Sequence, residues 1–98
     1  MGNSIQSARF LIESRLRDAA RGDTQACYDL GVAYSCGVSG VDIDLIEAHK
    51  WFNIAAMSGS ERAQECRAEI SEDMTAREII AAQRAARDWL GTTQRRAA

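Results

Sequence analysis

The stretch EAHKWFNIAAMSG, residues 47–59, decides how this chain is read. It sets a histidine, a lysine, a tryptophan and a phenylalanine at four consecutive positions, His49 to Phe52. Such a cluster is either a reactive site or one face of a packed helix. An α-helix turns about 100° per residue, which puts Leu45, Ala48, His49, Phe52, Ala55 and Ala56 on one stripe. Trp51 flanks the stripe beside Ala48 and Ala55, while Ile46, Ile54 and Met57 lie elsewhere on the circumference. A helix that is apolar over most of its surface is buried between neighbours. Trp51 and Phe52 then supply large apolar area, and the alanines let adjacent helices approach closely. His49 falls at the edge of the stripe next to Asn53, with no carboxylate or nucleophile at a usable spacing. It reads as a partly buried helix residue and not as a general base.

The same helical spacing runs through the rest of the chain, which contains no proline and few alternating apolar–polar runs. Five helices and no strands are expected. The first covers Ser4 to Arg21, with Ile5, Ala8, Ile12 and Ala19 on one stripe, and ends at Gly22. Asp23 caps the second, which runs to Cys36 and stops at Gly37. The segment GVSGVDI is a loop. Asp44 starts the third helix, with Glu47 at capping-box spacing, and Gly59 ends it. Ser60 caps the fourth, which fades over residues 71–74. Thr75 with Glu78 forms a full capping box for the fifth, whose stripe is Ile79, Ala82, Ala86, Trp89 and Leu90. Gly91 is expected to close it, leaving TTQRRAA as a frayed tail.

The chain also resembles itself. AARGDTQA at 19–26 aligns with AMSGSERA at 56–63, an offset of 37 residues. Both carry Ala-x-x-Gly-cap-x-x-Ala, where one helix ends at the glycine and the next begins with an alanine in its first turn. A helix hairpin repeated at this period predicts an all-α solenoid of the tetratricopeptide kind. The residues Ala26, Leu30, Gly31, Tyr34, Gly37, Gly40, Val41, Asp44, Ala48, Trp51, Phe52, Ala55, Ala56 and Gly59 resemble the Sel-one-like repeat (SLR) family pattern. The one departure is the loop, where two residues instead of one separate Gly37 from Gly40, making the offset one longer than the family's usual period. The resemblance divides the chain into a cap helix (4–21), a complete repeat (22–58), a degenerate repeat helix (59–74), a C-terminal capping helix (75–91) and a tail (92–98). The degenerate helix has Arg67 and Ser71 where the repeat has Leu30 and Tyr34, as suits a capping unit whose outer face meets water. The last helix is similar to the terminal helix of small bacterial SLR proteins. Within the repeat, Gly31 lets the second helix lie close against the third, and Tyr34 fills the gap between hairpins.

At 98 residues there is room for one modest core. Net charge is −2, distributed as +2 over residues 1–21, −7 over 22–73 and +3 over 74–98. Nothing global steers the chain to nucleic acid, and the arginines of the last helix lack interleaved aromatics. No signal peptide or membrane span is visible, so a cytoplasmic location is expected. Three cysteines is an odd count, and Cys27 and Cys36 stand about 13 Å apart on one helix, too far for a disulfide. Reduced thiols fit a reducing compartment.

The resemblance implies a non-enzymatic adaptor that presents the first helix of each hairpin to a protein or peptide partner. The second-helix positions least needed for the core are Gln25, Tyr28, Asp29, Val32 and Ser35. On the fourth helix the candidates are Glu61, Glu65 and Glu69, with Arg62 and Gln64 beside them. Tyr28 and Val32, four residues apart, are expected to form an apolar spot among acids that suits a basic peptide. Two alternatives are a hydrolase, since some cysteine-rich secreted SLR members are associated with β-lactam hydrolysis, and a metal site built from Cys27, Cys36, His49 and Cys66. The chain has no Ser-x-x-Lys motif and no nucleotide-binding glycine loop. No Cys-x-x-Cys or His-x-x-x-His spacing supports a metal either, so no cofactor is expected. Phe10, Leu11 and Leu16 are left over on the first helix, so a homodimer through the first or fifth helix is the remaining expectation.

Overall fold

The computed structural model describes residues 4–97, with side chains described for residues 9–93. Five α-helices follow in order: α1 Ser4–Ala20, α2 Thr24–Cys36, α3 Leu45–Met57, α4 Glu61–Ser71 and α5 Ala76–Ala97. Among the described residues there is no strand. The chain is all-α with helical-hairpin packing.

Helices α2 to α5 each begin where a side chain can take an orphan backbone N–H. Asp23 accepts from Ala26 N, Asp44 from Glu47 N and Ser60 from Ala63 N. The capping box of α5 is complete. Thr75 N donates to Glu78 Oε1 at 2.8 Å, and Glu78 N donates to Thr75 Oγ1 at 3.1 Å. At α3 only half the box forms. Glu47 turns to Lys50 Nζ at 2.9 Å, and Asp44 N donates to the Tyr34 carbonyl. That backbone bond ties the loop back onto the end of α2. Gly37 closes α2 in the left-handed conformation, φ 71°, and its N–H donates to Ala33 O. A Cβ there would also meet Ile43 Cγ1 at 2.9 Å.

The α2–α3 pair is the most extensive helix contact in the molecule. Leu30, Ala48, Trp51, Phe52, Ile54 and Ala55 are buried between these helices and their neighbours. Gly31 is what allows the close approach. A Cβ built on it would stand 2.5 Å from Phe52 Cδ1, closer than two carbon atoms can lie. α1 packs on α2, and α4 packs on α3. α5 turns back and lies on α3, where Trp89 meets Trp51 edge-on with ring centroids 5.0 Å apart. Ala82 and Ala86 are fully buried beneath it.

Two expectations are corrected. Gly91 does not end α5, which continues to Ala97. Gly91 is not among the glycines with positive φ, and the Thr92 and Thr93 hydroxyls donate to the carbonyls four residues back, Asp88 O and Trp89 O. The residues 92–97 expected to fray are therefore helical. His49 is not at a half-buried edge but 3% exposed. The reason is that both sides of α3 are covered, by α2 and α4 and by α5. On α1, Ile12 and Ala19 face the core, and Phe10, Leu11 and Leu16 stay exposed. The side chains of Ile5 and Ala8 lie outside the described residues.

Candidate interaction face

α2 and α4 lie side by side in light contact, both resting on α3. Their junction is a single polar bridge: Arg62 Nε donates to Tyr28 Oη at 2.7 Å. The guanidinium stands 5.9 Å from the Tyr28 ring centroid, and the ring itself leans on Phe52 at 5.8 Å. The Tyr28 hydroxyl raises the pKa of Arg62, so this cation is firmly charged.

The expected site residues divide into two groups. Gln25 Nε2 donates to Asp29 Oδ1, and Asp29 Oδ2 pairs with Arg15 Nε of α1 at 3.1 Å. The Asp29 charge is thus satisfied within the fold. Ser35 donates to Val32 O. Val32 lines a cavity of about 190 Å³ with Leu11, Ile12, Arg15, Asp29 and Val38, on the α1 side of α2. Tyr28, one turn earlier, meets α4 instead. The expected Tyr28–Val32 spot is therefore divided between two neighbours, Tyr28 leaning on α4 and Val32 on the cavity beside α1.

The α4 carboxylates are different. Glu61, Glu65 and Glu69 are exposed and none forms an ion pair, with Gln64 and Ala68 exposed among them. Glu65 acts electrostatically on Arg62. Glu72 and Asp73 extend the acidic run past the end of the helix. Only Ala63 of α4 is buried. Arg67, which stands where the repeat pattern has leucine, folds back and donates to Asn53 Oδ1 of α3. The surface is a ridge of unpaired carboxylates with one aromatic–arginine bridge at its side.

His49 shows what the opening cluster is. Its Nδ1 is buried without a hydrogen-bond partner. Burial first, then the nearby Arg67 charge, lowers its pKa below 6.5, so it is neutral at pH 7. Lys50 reaches outward to Glu47 and over the Trp51 ring, 4.5 Å from its centroid. Cys27 is buried, and burial together with Asp23 pushes its thiol up to about 11. Cys36 is exposed and Cys66 half-buried. Among the described residues no three His, Cys, Asp or Glu side chains come together where one metal ion could bind them. No described helix is long and apolar enough to cross a membrane.

The bridge Arg62–Tyr28 and the tie Arg67–Asn53 had no signal in the sequence beyond the positions themselves, since each joins residues of different helices. No protein-family model, no curated protein and no solved structure matches this chain.

Proposed function

We propose that the chain is a protein-interaction module of the Sel-like repeat type, taking a basic peptide or protein segment on the face formed by α4 and the adjoining edge of α2. The observation that carries this is the row Glu61, Glu65 and Glu69: exposed, unpaired, and on a helix that gives only Ala63 to the buried core. Carboxylates without internal partners are free to meet cations from outside. Tyr28 and Arg62 supply an aromatic and a planar donor beside them, the residue types enriched where partners bind tightly. The absence of a nucleophile–base pair at hydrogen-bond distance in the described residues gives no support to a hydrolytic reading.

The test is a crosslinked pull-down from native cell extract, comparing the wild type with a Glu61→Lys, Glu65→Lys variant. Both positions are exposed, so the variant should stay folded, with its melt lowered modestly by the charge reversal of Glu61 in the first turn of α4. A partner captured by the wild type and lost in the variant supports the proposal. A partner kept by the variant moves the contact to α1 or α5.

A further inference from the structure

A second feature lies away from that ridge. The C-terminal ends of α1, α3 and α5 converge around a cavity of about 260 Å³ lined by Ala19, Ala20, Arg21, Gly22, Cys27, Ile54, Ser58, Trp89, Leu90 and Thr93. α1 packs mainly on α2 and α5 mainly on α3, and the cavity lies between them. The floor and walls are apolar: Ile54, Trp89, Leu90 and the Cys27 thiol. That thiol is neutral at physiological pH, since its pKa is about 11, and it behaves as a small apolar surface.

The polar groups at the rim are unequal. The Ser58 hydroxyl donates to Ile54 O and the Thr93 hydroxyl to Trp89 O, so each offers the cavity only lone pairs. Arg21 is the one charged side chain on the wall, and among the described residues no carboxylate pairs with it. Asp23, close enough to Cys27 to act on its thiol, is engaged by Ala26 N. The apolar lining calls for an apolar body, and Arg21, among the described residues the only charged one lining the cavity, gives the rim a donor that an anionic acceptor meets best.

We propose that this cavity is a binding site for a small carboxylate amphiphile. Its apolar body fills the space between Ile54, Cys27, Trp89 and Leu90, and its carboxylate meets Arg21 at the rim. An apolar cavity of about 150 Å³ holds benzene, so this one takes roughly eight to ten carbon atoms. The site would join α1, which rests mainly on α2, to α5, which rests mainly on α3.

Octanoate is the probe, with 1-octanol as its uncharged counterpart, titrated into the full chain and followed by NMR. The expected result is saturable shifts of the Trp89 indole and of the Gly22, Ser58 and Thr93 amides. Arg21→Gln should weaken octanoate by about fivefold and leave octanol within about 1.5-fold, as fits loss of one ion pair at an exposed rim. Ala20→Leu, at an exposed helical position on the cavity wall, should abolish both without changing the melt. Absence of saturable shifts overturns the proposal. So does octanoate binding that Arg21→Gln leaves unchanged, or binding that survives Ala20→Leu.

Discussion

Helices α2 and α4 start alike. Asp23 and Ser60 each accept from the N–H three residues on, and Ala26 and Ala63 are each buried in the first turn. From there they diverge. α2 buries Cys27, Leu30, Gly31 and Ala33 as well, whereas α4 buries nothing more fully and leans on the core only with Cys66 and Ile70. At the positions of Leu30 and Gly31, α4 has Arg67 and Ala68. Local capping sets where a helix begins, and the following side chains set how much of it the fold needs. α2 is enclosed by α1, α3 and α4. α4 is covered on one side only, because α5 turns away onto α3. What α4 does not give to the core it can give to a partner.

The largest expected effects lie in the enclosed half. Trp51→Ala should cost about 3–5 kcal/mol, and Trp89→Ala about 3 kcal/mol. Either is a large part of the 5–15 kcal/mol typical of a small domain. A thermal melt unchanged by Trp89→Ala would remove α5 from the core.

Next comes the pair of positions that matches across the two helices. Gly31→Ala improves helix propensity yet should destabilise by about 1–3 kcal/mol, because its Cβ would meet the Phe52 ring. Ala68→Gly, at the equivalent and exposed place on α4, should cost only about 0.5–1 kcal/mol, the propensity difference. Chemical denaturation of both variants checks the contrast, and a Gly31→Ala chain as stable as the wild type would mean that α2 does not approach Phe52 that closely. The caps should not distinguish the helices: Asp23→Ala and Ser60→Ala are each expected to cost about 1 kcal/mol.

The pH response has the smallest reach. His49 has a folded pKa below its unfolded value of 6.5. The unfolded chain therefore binds the proton first, and stability falls as pH drops below about 6.5. Urea melts between about pH 7.5 and pH 5 should show this decline, and His49→Gln should flatten it. An unchanged slope in that variant would move the response to other groups.

Much of the fold was legible in the sequence, and for local reasons. Asp23, Asp44, Ser60 and the Thr75–Glu78 box mark helix starts by chemistry within a few residues. The apolar stripe of α5 followed from spacing, and the close approach of α2 to α3 at Gly31 from the repeat pattern and the size of glycine; that Phe52 is what Gly31 meets came from the structure. What stayed hidden depends on distant parts of the chain. Gly91 reads as a stop, but its backbone stays out of the left-handed region and α5 runs through it. The burial of His49 needs three helices around α3 at once. The division of Tyr28 from Val32 depends on which neighbour lies on each side of α2. The cavity at Arg21 draws its walls from four helices, so no stretch of sequence contains its pattern.

The most direct measurement is amide hydrogen exchange in the native state, read helix by helix. The amides of α2 and α3 should exchange most slowly, through global unfolding, and those of α4 faster, through local opening. Such a difference would confirm that the α2–α3 hairpin holds the fold and leaves the acidic helix free for contact. Equal protection in α4 and α3 would contradict it.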